Sequence, residues 1–415
     1  MRAILMAGCI ACILTWLPMR PSEGAELQAV DGGAPNAGRR DWLEGSSRRI
    51  LANEPDFASD KPLWFALELG NGKNRLIAAV LDESKGTGTG YDTLYLDANN
   101  NGDLTDDKPI KVTKGKSDDP RSTALECEPV TVKVLYHDGS DRQLRVKLAM
   151  QCYRYGGDED RANWNLNYSV EQHMEGKVSF GGKTMLAAVY DAARLGDGGS
   201  QINGCFDDYG VDRLKLDLDG DGKFSDAEDF PLSKVISYDG KLWQLEIDSA
   251  GRKLDVKPST LPAGKLALKG SFDAAAKIEA GSVQLISGLG YAFRCDVSKP
   301  DPVLVPAAKY LIEGGSMTLA DAKGAKWAMS FSYPKTLRVA ADQDTALALG
   351  KPFKLQPTVK DTLFAGSRVS VAHKLAGAGG ETCSGVTQGG KQIAPTVRIT
   401  DAEGIKILEG AMEFG

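Results

Sequence analysis

From Leu63 onward apolar and polar positions alternate in short runs, and Gly, Asn, Asp or Pro interrupts them about every 8 to 12 residues. That period predicts antiparallel strands joined by tight turns. The start of the chain is patterned differently. Arg2 precedes an unbroken apolar run, Ala3 to Leu17, which a polar, proline-containing stretch closes. This predicts a secretory signal peptide over residues 1–25 and export to the periplasm or the extracellular space. The run is short for a membrane-spanning helix and no later run approaches that length, so no transmembrane span is expected once the signal is removed. Residues 26–60 are rich in Gly, Ala and Arg, with one periodic piece at Trp42, Leu43, Ile50 and Leu51. They predict a linker with one short helix.

The alternating region repeats itself. Ala78-Ala79-Val80-Leu81-Asp82 returns as Ala187-Ala188-Val189-Tyr190-Asp191. Each copy passes through a Gly-containing loop into a second strand pattern, Asp92-Thr93-Leu94-Tyr95-Leu96-Asp97 or Asp212-Arg213-Leu214-Lys215-Leu216-Asp217, whose last Asp opens an acidic loop. A proline follows each loop (Pro109, Pro231), then a hairpin. The second hairpin turns at Tyr238-Asp239-Gly240-Lys241. Two related sheet units are therefore expected within 61–262. Beyond Pro262 acidic loops stop and strand candidates follow one another: Lys265 to Ser271, Ser282 to Ile286, Tyr310 to Ile312, Trp327 to Tyr333, Phe353 to Val359, Arg368 to Lys374 and Thr396 to Thr400. Residues 263–415 thus predict one or two Ig-like β-sandwich domains, with a candidate boundary near Gly350.

The second acidic loop reads Asp217-Leu218-Asp219-Gly220-Asp221-Gly222-Lys223-Phe224-Ser225-Asp226-Ala227-Glu228. Ca²⁺ takes roughly six to eight oxygens, and alternate side chains of a tightly coiled loop can point to one centre. Asp217, Asp219 and Asp221 would give carboxylates, Lys223 its carbonyl, Ser225 a ligand directly or through water, and Glu228 both oxygens. Gly222 would allow the sharp turn. The bland reading is a solvated turn, since Asp and Gly are turn residues, but a turn has no use for the mutual repulsion of four carboxylates. The first loop runs from Asp97 through Asn99, Asn101, Gly102, Asp103, Asp106 and Asp107 to Lys108. It keeps oxygens at the first, third and fifth places but has Lys108 where the bidentate glutamate belongs. Asp106 or Asp107 would have to substitute, giving a weak calcium site or a purely structural Asx turn.

Both loops resemble EF-hand loops. The incoming segments, with Leu94 and Leu96 or Leu214 and Leu216 alternating with polar residues, read as strands rather than helices, which favours a static strand-loop site over a sensor that opens a helix pair. The wider layout is similar to secreted bacterial proteins that join duplicated β units of this kind to a C-terminal Ig-like domain, a resemblance that implies no activity. The expected fold class is accordingly mainly β: duplicated antiparallel β units, each carrying a strand-loop calcium site, followed by one or two Ig-like sandwiches.

The formal charge of −6 argues against nucleic acid as a partner and suits a cation. Of the seven cysteines, Cys9 and Cys12 fall in the leader, leaving Cys127, Cys152, Cys205, Cys295 and Cys383. Cys127 and Cys152 flank a hairpin at Asp138-Gly139-Ser140-Asp141. A two-residue turn would set them opposite each other for a disulfide, but it would also mismatch the apolar faces unless a bulge near Pro129 intervenes. His137, His173 and His373 sit in no recognisable catalytic motif. The best hydrolase candidate is Asp158-Glu159-Asp160 near Tyr153, Tyr155, Trp164 and Tyr168, against the reading of a surface loop beside core aromatics. The expected function is an exported calcium-binding protein with structural calcium, serving as a binding or envelope scaffold module for a glycan or protein. The alternative is an extracellular polysaccharide-acting hydrolase.

Overall fold

A computed structural model describes residues 24–32, 39–41, 50–87, 90–117, 119, 121–154, 162–193, 202–271, 276–299, 301–359 and 371–412. Residues 1–23 of the expected signal peptide, and Trp42 and Leu43 of the expected short helix, lie outside them. The fold is mainly β, and the described residues contain no α-helix.

Two four-stranded meanders carry the repeat. The first is Leu63–Glu68, Leu76–Asp82, Thr93–Leu96 and Ile110–Lys111; the second is Gln172–Phe180, Lys183–Tyr190, Arg213–Leu216 and Asp229–Pro231. In each, an acidic loop joins the third strand to the fourth. The meanders match in register, one residue away from the sequence match. Ala79 lies opposite Leu96 and Ala187 opposite Leu216, so Ala79 corresponds to Ala187, Leu81 to Val189, and Glu83 to Asp191. Side chains alternate along a strand, so the match read from sequence would turn the core set to the wrong face. The signal misled because residues from Ile77 to Leu81 are all buried, whichever way they point.

A hairpin sheet follows each meander. The strands Val130–Leu135 and Asp141–Arg154 pair Val130 with Val146 and Val132 with Leu144. The turn is wider than two residues: Leu135 faces Asp141, and the Tyr136 amide donates to the Ser140 carbonyl. This wider turn reconciles the apolar faces with no bulge. It also separates the cysteines, since Cys152 faces Thr123 and Trp164. All five described cysteines are buried and none is in a disulfide, so the bridge between Cys127 and Cys152 is not made. The later hairpin turns where the sequence places it, Tyr238 opposite Lys241, with Asp239 and Gly240 left-handed at φ 51° and 67°.

Both meanders and both hairpin sheets wrap one core, in which Leu67, Leu81 and Leu94 meet Val178, Val189 and Leu214 around Val132, Leu148 and Leu245. The stretch expected as a linker stitches this assembly together. Ala25–Glu26 pairs with Lys253–Pro258, Gln28–Asp31 with Gln172–Phe180, and Arg39–Asp41 with Ala162–Val170. Such segments are too polar to have a core of their own, but they can satisfy the amides of an exposed sheet edge.

A second core holds Leu266, Val283, Phe293, Tyr310, Phe331, Leu349 and Cys383. It joins a three-stranded sheet, where Asp344–Gly350 runs parallel to Ala263–Ser271, to a nine-stranded sheet. The latter continues past Gly350 through Lys354–Val359, Val371–Ala376 and Thr382–Gln388, so one core spans the candidate boundary. At the seam between the cores the Lys234 amide donates to the Gly290 carbonyl at 2.9 Å and the Ala292 amide to Ser233 Oγ at 2.9 Å.

Candidate metal centre

Each acidic loop starts from a buried aspartate at the end of a strand: Asp97 is 2% exposed and Asp217 6%. A carboxylate buried this far needs donors, and it finds them in its own loop. Asp97 accepts the amides of Asn101 and Gly102, each at 2.9 Å. Asp217 accepts those of Gly220 and Gly222 at 2.8 and 3.1 Å. These bonds close only if the chain turns left-handed twice, which it does at Asn100 and Gly102 (φ 56° and 79°) and at Gly220 and Gly222 (φ 80° and 78°). Asx turns continue the coil. Asn99 and Asn101 accept the amides of Asn101 and Asp103, and Asp219 and Asp221 those of Asp221 and Lys223.

Beyond this shared frame the loops differ. In the second, one oxygen from each of Asp217, Asp219 and Asp221 lies within 4.8 Å of the others, and no other three acidic, histidine or cysteine groups among the described residues do so. Asp219 and Asp221 are exposed, and a Cβ placed on Gly220 or Gly222 would meet nothing within 4 Å. Glu228 is not part of this trio. Its Oε1 accepts the amides of Leu218 and Asp219 at 2.6 and 3.3 Å, and its Oε2 accepts the amide and hydroxyl of Ser225 at 2.9 and 2.8 Å. The carboxylate thereby ties the entry limb to the exit limb, and these donors, the Ser225 amide first, hold it below the usual carboxylate range. Ser225 is spent on the same clamp, and Lys223 is exposed. Arg294, from the second core, donates to the carbonyls of Asp226 and Asp229 at 2.8 and 3.2 Å and grips the exit limb.

The first loop is braced differently. The side-chain amides of Asn99 and Asn101, through Nδ2, both donate to Asp106, at 3.2 and 2.9 Å. Asp103 turns outward to Thr105 and to Asn53 Nδ2 at 2.6 Å. The backbone of residues 50–53 lies along the loop, with the Ala52 amide donating to the Gly102 carbonyl. Asp107 is pushed up to about 6, by burial first and then by Asp97 and Asp106, and its Oδ2 is buried without a partner. Five of the six residues expected as calcium ligands here, all but Asp107, are thus joined to one another by neutral amide donors, and no three of the loop's acids bring oxygens within 4.8 Å of one another.

Elsewhere, several of the described groups that could suggest an enzyme have structural partners. Asp158, Glu159, Asp160 and Tyr155 lie outside the described residues. Tyr168 is a core residue whose hydroxyl donates to the Glu68 carbonyl at 2.9 Å, and Trp164 packs edge-on against Tyr91. His173 is buried, stacked on Tyr190 and bonded to the Gly32 carbonyl and to Glu175. His137 bonds Asn71 beside its turn. Sequence reading missed Arg294, because nothing local marks a residue that acts across the seam.

The donor set at Asp217, Asp219 and Asp221 is all oxygen, anionic and open on one side. It could hold a hard divalent cation, with water completing the shell and Glu228 able to contribute only by exchanging its amide partners. Compared with models of protein families, with curated proteins and with solved structures, the chain matches none.

Proposed function

We propose that this is an exported, non-enzymatic binding or scaffold protein whose second acidic loop takes calcium as a structural ion, and whose C-terminal sandwich is Ig-like. The observation that carries the reading is the convergence of the Asp217, Asp219 and Asp221 oxygens within 4.8 Å. Three anions at that spacing repel unless a cation lies among them, and the loop is already folded by its own amides, so an ion would bind without a large ordering cost. Support for calcium over softer metals comes from the absence of nitrogen and sulfur at the loop. The leader supports export, and the net charge of −6 supports a cation over a nucleic acid.

Calcium binding only the folded form would add RT ln(1 + [L]/Kd), about 1.4 kcal/mol at a tenfold excess over Kd. The test is titration calorimetry of the leader-free protein with calcium, beside thermal melts with and without the ion. Heat and a raised Tm are expected for the native protein, and neither for Asp217→Ala. Survival of both signals in Asp217→Ala and in Glu228→Ala would remove this loop from consideration.

A further inference from the structure

The second meander carries an insertion that the first lacks, between Tyr190 and Arg213, and its described part is folded around three aspartates. Their hydrogen bonds form a closed circuit. Asp191 Oδ2 accepts the Gly204 amide at 2.6 Å; Asn203 Nδ2 donates to Asp208 Oδ2 at 2.8 Å; the Asp208 amide donates to Asp212 Oδ2 at 2.8 Å; and the Ala192 amide donates to Asp212 Oδ1 at 3.1 Å, which returns the circuit to Asp191. Asp191 is 3% exposed and Asp212 fully buried. Within this circuit Asp191 Oδ1 is buried and has no hydrogen-bond partner.

A buried carboxylate oxygen with no donor is costly as an anion, and a proton on the group removes that cost. A metal ion is the weaker answer, because Asp191, Asp208 and Asp212 do not bring three ligand oxygens within 4.8 Å of one another, unlike the trio at Asp217. Among the described residues, side-chain cations are turned elsewhere. Arg142 donates to the Ala250 carbonyl, Arg252 to the Asp141 carbonyl, and Lys234 stands over the Tyr209 ring at 5.2 Å. The remaining titratable neighbours are acidic or neutral: Asp207, which accepts from Ser249; Cys205; and Tyr136, whose hydroxyl donates to the Gly204 carbonyl.

We propose that Asp191 is a neutral acid in the folded protein, and that its proton locks the Ile202–Asp212 segment in place. Burial, followed for Asp191 by the Asp208 charge, raises both Asp191 and Asp212 well above the ordinary carboxylate range, in keeping with this arrangement. The lock has a consequence at the surface. Asn203 and Asp207 to Val211 form one wall of a cleft of about 910 Å³ at the seam, faced by the Ile286–Gly290 turn of the second core. Losing the proton would set two buried anions against each other beneath that wall and loosen it.

A group raised in the folded state gives stability that is complete below its unfolded value and is lost as the pH rises through the folded one. Melts between pH 6.5 and 8 isolate this group from Asp107, whose own titration is centred near 6. The native protein should lose Tm across that window, and Asp191→Asn should hold a higher Tm with a shallower slope, Asp212 still being raised by its own burial. Infrared spectra of the native protein at pH 7 in heavy water should show the carbonyl stretch of a protonated carboxyl, absent from Asp191→Asn. Amide exchange at Gly204 and Asp208, corrected for the intrinsic rate, should quicken with pH in the native protein only. A native spectrum without that stretch overturns the proposal, even if Asp191→Asn fails to fold, and so does an Asp191→Asn protein that keeps the native pH slope.

Discussion

The two acidic loops are one backbone design filled by different chemistry. Both begin at a buried aspartate, coil through two left-handed residues and cap their amides with Asx turns. In the first, asparagines at the third and fifth places donate to Asp106, and the chain from residue 50 to 53 covers one side. In the second, aspartates at those places have nothing to donate, and the side by Gly220 and Gly222 is open. An amide brings its own donor and so can brace a loop alone, whereas a carboxylate ring needs a partner from outside. Backbone coiling and a converging trio of carboxylates are therefore separable, and the first loop has the coiling without the trio.

The strongest way to break this comparison is to remove the opening aspartate of each loop. Asp97→Ala and Asp217→Ala each remove the charged acceptor of two loop amides, which costs about 2 to 4 kcal/mol at roughly 1 to 2 kcal/mol per charge-assisted bond. Denaturant melts should give similar losses without calcium. With calcium the Asp217→Ala deficit should widen while the Asp97→Ala deficit stays constant. Equal widening in both would show that the first loop binds the ion as well.

The converse experiment builds the second loop's chemistry into the first. Asn99→Asp with Asn101→Asp and Lys108→Glu removes two donors from Asp106 and adds three negative groups. Without divalent ions this should destabilise by about 1 to 2 kcal/mol, from the lost bonds and the new repulsion. Calcium should restore part of that loss if the backbone frame is what the site requires. A triple variant indifferent to calcium would mean that the covering chain at 50–53, rather than the amide side chains, keeps the first loop from binding.

Much of this contrast was legible in the sequence. The spacing of Asp217, Asp219, Asp221 and Gly222, the lysine at the twelfth place of the first loop and the period-two strands on either side all follow from local pattern, and local pattern governs turns and strands. Non-local matters were not legible. The repeat register slipped by one residue because Ile77 to Leu81 are apolar on both faces, which removes the alternation that fixes register. The stretch before Asp60 looked like a linker because edge strands need little apolar sequence. Glu228 matched a ligand position yet is drawn to four donors from both limbs, a choice no spacing reveals.

Arg294 offers a sharper, smaller probe of the second loop. It reaches the Asp226 and Asp229 carbonyls from across the seam, while the first loop is flanked by the chain just before its own meander. Arg294→Ala should cost about 1 kcal/mol, since the bonds are exposed though charge-assisted. Hydrogen exchange should report loosening at residues 225–229 and leave residues 97–107 unchanged. If the first loop loosens equally, the effect is global and the seam contact is not a local grip.

The smallest effect separates the loops by the sign of their response to pH. Asp107, near 6 in the folded protein because of burial and then of Asp97 and Asp106, binds its proton more tightly folded than unfolded. Its contribution is complete below about 4 and is lost as the pH rises through 6. The bare shift would amount to about 3 kcal/mol, but the side chain is only partly buried, and screening reduces this to about 0.5 to 1 kcal/mol. Glu228 runs the other way. Its proton is bound less tightly in the folded protein, so its contribution is present above about 4.5 and disappears as the pH falls. Between pH 3 and 7, Asp107→Asn should therefore remove a falling component from the stability profile, and Glu228→Gln a rising one at the acid end. Both slopes come from folding alone and should appear in chelator. Should Asp107→Asn leave the profile untouched, the crowding of Asp97, Asp106 and Asp107 is relieved in solution, and the first loop does not hold its acids together as its hydrogen bonds imply.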